Sequence, residues 1–339
     1  MLKVGIVGFG FMGRMHFRWW NQLEGAKVTA ICDANPNIQE DIKKPVGNIA
    51  GASAEVNFDE IALFSDFEEM LQEGDMDAIS LTLPTYLHAE TTQKALRAGY
   101  HVLCEKPMAL TVEECDQMVQ AAEESGKVLL IGQCLRFWPE YTKARAIVES
   151  GQYGKLLAAS FRRLGAPPDW GQDDWFKKVQ LSGGLALDLH IHDADFIHYL
   201  CGMPEAVDGC ATTGPQGELL HMSAHYFYPD HHMISAEASW VMSSSFGFEM
   251  SFNLMLEHAT LVFTSGEDNG LQVFPDDAEP YTPELAEHDG YYWEIDHFSR
   301  LARGQAVPEV STPQQSRDSI RLVLAEVESI EKSKRITLV

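Results

Sequence analysis

Leu2-Lys3-Val4-Gly5-Ile6-Val7 runs directly into Gly8-Phe9-Gly10-Phe11-Met12-Gly13, and this junction decides how the chain is read. Leu2–Val7 is apolar and rich in β-branched residues, the composition of a buried strand. Phe11–Leu23 has helical length and no proline, and Val28–Cys32 is a second apolar run that stops at Asp33, 20 positions after Gly13. Strand, glycine turn, helix, strand and terminal carboxylate together form a dinucleotide-binding fingerprint. Gly8 permits the tight turn, Gly10 lets the backbone approach a pyrophosphate, and Gly13 lets helix and strand pack closely. The helix start at Phe11 and Met12 offers N–H groups and positive potential to the phosphates. The plainer alternative is a glycine-rich βα turn with no ligand.

Asp33 selects the nucleotide. A carboxylate there accepts from a ribose 2′-OH and repels a 2′-phosphate. Ala34, Asn35, Pro36 and Asn37 follow it, and the nearest basic residue is Lys43. NAD is therefore expected in preference to NADP.

The alternation continues outward from this unit. A less regular stretch, 34–60, precedes a strand at Ala78–Leu83, a helix at Tyr86–Ala98 and a strand at His101–Cys104. A helix over Val112–Glu124, with Thr111 as its N-cap, leads to a strand at Val128–Ile131. Short strands alternating with helices predict a parallel α/β sheet. Ligands bind such sheets beyond the carboxyl ends of the strands. Two strand ends carry unusual sequence there: Pro84-Thr85-Tyr86-Leu87-His88 and Glu105-Lys106-Pro107. Lys106 at such a position could hydrogen-bond a substrate hydroxyl or exchange its proton. Glu105-Lys106 read in isolation is more often a solvated turn pair, and its place at a strand end shifts that balance.

From Ala206 the pattern changes to strands at 206–213, 219–228, 233–241, 246–256, 259–264 and 271–274. Their alternation of polar and apolar residues suggests an antiparallel sheet. Helices are expected at Glu140–Ser150, 290–303 and 313–332. Between the zones lies Gly183-Gly184-Leu185-Ala186-Leu187-Asp188-Leu189-His190-Ile191-His192-Asp193-Ala194-Asp195. On a regular helix, Asp188, His192 and Asp195 share one face, with His190 and Asp193 elsewhere. Three readings stay open: a metal set drawn from Asp188, His190 and His192; a satisfied core network; or acid–base chemistry at His192 with Asp188 beside it.

Gly8–Gly13, Asp33, Pro84–His88 and Glu105-Lys106-Pro107, in this order, resemble the glucose–fructose oxidoreductase/inositol dehydrogenase family, often written Gfo/Idh/MocA. The resemblance implies a Rossmann domain, residues 1–133, and then an α+β domain, residues 134–339, with a large, open, mostly antiparallel sheet. It implies that Pro84, His88, Glu105 and Lys106 lie against NAD together with the glycine loop and Asp33. It also implies that Lys106, Asp188 and His192 form the catalytic set, and that the reaction is NAD-dependent oxidation of a secondary hydroxyl on a polyol or sugar. The family's usual glycine between Asp188 and His192 is His190 here. Within the same family, a glycoside-cleaving enzyme that retains its NAD and a non-catalytic NAD-dependent sensor are the alternatives. The resemblance also implies a homo-oligomer, dimer or tetramer, in which the open sheet buries its free face against a copy of itself.

Composition narrows the partners. The 339 residues hold 50 Asp plus Glu and 25 Lys plus Arg, a net charge of −25, which argues against nucleic acid or an anionic membrane. Residues 179–299 hold 20 acidic side chains, no Lys or Arg, and 10 of the 13 His. A phosphorylated substrate is disfavoured by that segment, and a neutral polyhydroxy compound suits it better. Arg136 and Arg163 are the candidates for any substrate carboxylate, and Trp138, Trp170, Trp175 and Tyr292 for stacking on a sugar face. The six cysteines show no CxxC spacing and read as buried free thiols of a reducing compartment. No metal is expected. The broken apolar stretch at residues 2–13 does not have the pattern of a secretory leader, so the cytoplasm is the expected compartment.

Overall fold

The computed structural model describes residues 1–41, 56–167, 175, 178–230, 233–266 and 270–338. Lys43 and Trp170 lie outside the described residues. The first strands and helices are β1 (Leu2–Val7), α1 (Phe11–Trp20), β2 (Ala26–Cys32), α2 (Ile38–Asp41), β3 (Ala62–Phe64) and α3 (Phe67–Glu73). They continue as β4 (Ala78–Leu81), α4 (His88–Arg97), β5 (His101–Glu105), α5 (Val112–Ser125) and β6 (Leu129–Gly132). Among the described residues these strands form one six-stranded sheet in the order β3-β2-β1-β4-β5-β6. Every pairing is parallel. That order reverses between β1 and β4, the switch point at which doubly wound sheets bind nucleotides. All four residues of β4 are buried, as expected for a strand covered on both faces. Helix α5 starts at the expected Thr111, whose hydroxyl accepts from Glu114 N–H while the Glu114 carboxylate accepts from Thr111 N–H, a capping box.

The second sheet is assembled from β7 (Leu156–Gly165), β8 (Ala206–Thr213), β9 (Leu219–Phe227), β10 (Met233–Ser239), β11 (Phe248–Leu256), β12 (Ala259–Thr264), β13 (Leu271–Pro275) and β14 (Ile336–Thr337). Its order is β13-β12-β11-β7-β10-β9-β8-β14, with β7 and β10 parallel and every other pair antiparallel. Strand β12 alternates buried and half-buried residues along its whole length, so one face is covered and the other is not. The covering layer includes α6 (Pro139–Ser150) and α8 (Ile191–Cys201), and α8 is preceded in the chain by α7 (Val179–Ser182) and a π-helical turn at Ala186–His190. Tyr141 packs edge-on to Phe196 and Phe252, at 4.8 and 5.0 Å between ring centroids, and forms the aromatic centre of this core.

Two helices close the chain, α9 (Gly290–Ala302) and α10 (Pro313–Lys332). The compact units are Met1–Cys134 with Gly290–Arg317, and Leu135–Asp289 with Asp318–Val339. The sequence places the boundary near residue 133 and assigns all later residues to the second domain. The structure instead returns α9 to the first unit, because its buried aromatic face meets α1: Phe298 lies edge-on to Trp20 at 6.0 Å and Tyr292 edge-on to Trp19 at 5.4 Å.

Candidate functional site

In the first unit, the glycine loop is built as its residue types require. Gly8 has φ +85°, and a Cβ there would stand 2.9 Å from Thr82 O. A Cβ on Gly13 would stand 2.2 Å from Gly8 O, so helix and turn can approach only without one. A Cβ on Gly10, by contrast, meets nothing within 4 Å. The space over Gly10 is therefore open at the start of α1, as a pyrophosphate requires. Asp33 ends β2, and its two oxygens accept from Phe9 N–H at 2.6 Å and Asn35 N–H at 2.8 Å. The same carboxylate thus holds the loop in shape. Phe11, Met12 and Pro84 are half-buried around it.

His88 is buried, with ring nitrogens 2.8 Å from Pro107 O and 2.8 Å from Leu83 O. Burial holds its pKa below the ordinary value, against the pull of those two carbonyls. His88 thus sits between the β4 and β5 loops with both ring nitrogens facing backbone carbonyls, its one N–H donating to one of them. Beside it, Glu105 is buried and Lys106 half-buried. Burial alone would raise the Glu105 pKa. The hydrogen bond and charge of His16, with Lys106, outweigh burial and hold it below the usual carboxylate range. Sequence reasoning missed His16, which is fully buried in α1 with Nε2 3.0 Å from Glu105 Oε1 and Nδ1 2.6 Å from Ser80 Oγ. Its only sequence signal is a histidine on the apolar face of the helix.

In the second unit, the π-helical turn carries Asp188, and the first turn of α8 carries His192, both half-buried. Contrary to the helical-wheel expectation, Asp188 does not share one regular stripe with His192 and Asp195, which stand three residues apart within α8. A π-turn closes through an i→i+5 bond, here Ile191 N–H to Ala186 O, and inserts a phase shift before α8. Asp195 is fully buried and accepts a two-pronged bond from Arg136, at 2.9 and 2.7 Å, and a third from Ser319 at 2.7 Å. Asp193 takes the same two-pronged bond from Arg163, at 2.8 and 3.1 Å. These geometries correct the expectation for the two arginines. Both guanidiniums are buried and spent on carboxylates of α8, so neither is offered to a substrate anion.

His190 points into the core, with Nε2 2.7 Å from Glu326 Oε2 and 3.3 Å from Tyr226 OH. It therefore does not join Asp188 and His192 as a metal set. Among the described residues, the grouping with ligand spacing is His16, Glu105 and Glu294, whose ligand atoms lie within 4.8 Å of one another. Tyr292 packs on Trp19 and Trp293, while Trp138 and Trp175 are half-buried. All six cysteines are free, and burial pushes the Cys104 thiol up to about 12. Among the described residues, no helix is long and apolar enough to cross a membrane.

Comparison with known proteins places this architecture. Residues 2–133 match the model of the oxidoreductase family with an NAD-binding Rossmann fold, and residues 141–262 match the GFO/IDH/MocA C-terminal domain. The chain belongs to the Gfo/Idh/MocA oxidoreductase family. Among particular relatives, it is 31% identical to 2,7-anhydro-N-acetylneuraminate hydratase of Escherichia coli (strain K12) over 61% of this chain and 52% of that protein. It is 27% identical to myo-inositol 2-dehydrogenase of Thermotoga maritima over 59% of this chain and 55% of that protein. The matches thus span about half the length of these curated relatives. A levoglucosan dehydrogenase solved with NADH and levoglucosan superposes with a TM-score of 0.83 at 22% identity, covering 99% of each chain, which establishes the shared fold.

Proposed function

We propose that the protein catalyses reversible hydride transfer between NAD and a secondary hydroxyl of a neutral cyclic polyol or sugar. The observation that carries the reading is the glycine cradle: tight at Gly8 and Gly13, open at Gly10, with Asp33 at the end of the neighbouring strand. Bound NAD supplies the hydride acceptor. Gly8, Gly10, Phe11, Met12 and Gly13 hold its phosphates, and Asp33 takes the ribose and disfavours a 2′-phosphate. Lys106 donates to the carbinol oxygen and polarises it. His192 takes the hydroxyl proton as the carbinol hydrogen departs with its electron pair, and Asp188 holds an adjacent hydroxyl. The family assignment supports these roles. A neutral substrate is supported by the commitment of Arg136 and Arg163 to buried carboxylates. Self-association through the open sheet face is supported by exposed Met233 and Phe274, which alternate with the buried positions of their strands.

A second reading is favoured by one observation. Two similar proteins, from Escherichia coli and Mediterraneibacter gnavus, are named hydratases. A related chemistry would keep NAD bound and oxidise the substrate only transiently. Incubation with NAD and a panel of inositols, hexoses and anhydrosugars separates the two. Accumulating NADH supports the dehydrogenase. Product formation with retained cofactor and no net NADH supports the second reading, and neither outcome with any compound contradicts both.

A further inference from the structure

We propose that His16 is a positioning residue for Lys106, acting through the Glu105 carboxylate. The catalytic part of this inference rests on the role proposed above for Lys106, whereas the structural part stands independently. One proton position, at His16 Nε2, follows from donor chemistry alone. The indole N–H of Trp20 only donates, and it lies 3.3 Å from Ser80 Oγ. Ser80 Oγ also lies 2.6 Å from His16 Nδ1. The ionised Glu105 carboxylate only accepts, so His16 Nε2 carries a proton and donates it to Glu105 Oε1, 3.0 Å away. The other oxygen of Glu105, Oε2, accepts the backbone N–H of Lys106 at 3.1 Å.

Hydrogen bonds thus link Trp20, Ser80, His16 and Glu105 in sequence, with the Lys106 amide arriving at the far oxygen. His16 and Ser80 are fully buried and Glu105 is 5% exposed, so no water substitutes readily for a lost partner. His16 belongs to the helix whose first turn forms the glycine cradle, and Glu105 ends the strand that presents Lys106. One imidazole therefore ties the cofactor-facing helix to the lysine. The grouping of His16, Glu105 and Glu294 has metal-ligand spacing, but both ring nitrogens already serve in that chain. A metal would have to displace the Nε2 proton.

The test compares wild type with His16→Leu, His16→Gln and Ser80→Ala. The glutamine amide places an N–H near the Nε2 position, whereas leucine offers none. Site-resolved amide hydrogen exchange needs no substrate. In His16→Leu, exchange at the Lys106 amide is expected to rise about tenfold or more while β1 amides keep wild-type rates, and His16→Gln is expected to restore protection. In turnover, His16→Leu is expected to lower kcat about 10- to 100-fold with KM for NAD nearly constant, again with recovery in His16→Gln. An unchanged Lys106 amide in His16→Leu, or exchange rising equally across the sheet, overturns the proposal. A stoichiometric Zn²⁺ complex abolished by Glu294→Gln also overturns it, in favour of a metal site. A wild type inactive on every polyol removes the dehydrogenase reading alone, and the exchange measurement still decides for or against His16.

Discussion

The backbone N–H of Phe9 donates to Asp33 Oδ2 across 2.6 Å, so the carboxylate proposed to read the ribose also holds the glycine loop. Asp33→Ala removes both services. Its KM for NAD is expected to rise about tenfold or more, the value of one charge-assisted hydrogen bond, and its preference for NAD over NADP to fall. Initial rates with the two cofactors check this. An unchanged ratio of kcat/KM would remove Asp33 from the nucleotide site.

Gly10 and Gly13 separate folding from binding. A Cβ on Gly13 strikes Gly8 O at 2.2 Å, so Gly13→Ala is expected to lower the melting temperature without any ligand. A Cβ on Gly10 meets nothing within 4 Å, so Gly10→Ala is expected to melt like wild type. Its loss appears only in the stabilisation that saturating NAD confers. Thermal melts with and without NAD read both effects.

Arg136 and Asp195 are a buried pair at 0% and 1% side-chain exposure. Arg136→Met strands a carboxylate in the core and is expected to cost about 3–5 kcal/mol in urea unfolding. Adding Asp195→Leu to that variant is expected to recover a substantial part, since the stranded charge is then removed. A loss below about 1 kcal/mol, the range of exposed pairs, would contradict the structural role.

His190 and Glu326 give the fold a pH dependence. Burial disfavours the imidazolium, but the charge and hydrogen bond of Glu326, helped by Asp193, outweigh burial and the opposing Arg163 and hold the His190 pKa above its ordinary value. Tyr226 also faces the ring, its own pKa raised chiefly by burial. A raised folded pKa contributes stability that is complete below the unfolded value, about 6.5, and is lost as pH rises through the folded value. Wild type is therefore expected to lose more stability than Glu326→Gln between pH 6 and pH 9, measured by urea unfolding on both, about 6 and 9 bracketing the usual histidine range. Parallel pH curves would contradict the pairing.

Strong periodicity made much of this fold legible: the expected strands 206–213 and 259–264 and the helix 313–332 coincide with β8, β12 and α10. The missed elements carry little signal. Strand β3 has three residues, none buried, and α3 buries only Met70. The glycine fingerprint was readable because its spacing is local. Arg136, Arg163 and His16 were not, since their partners lie 59, 30 and 89 residues away and ion pairing across such distances leaves no local pattern. The single stripe of Asp188, His192 and Asp195 is broken at Asp188, a break that was not legible because a π-turn cannot be distinguished from an α-turn by hydrophobic spacing.

Steady-state turnover of a polyol or sugar with NAD, comparing wild type with Lys106→Met and His192→Ala, tests hydride transfer most directly. Loss of one proton-transfer group is expected to lower kcat about 10²- to 10⁴-fold in each variant, with NAD still stabilising both proteins against heat. Near-wild-type turnover in both variants would contradict the proposed catalytic roles.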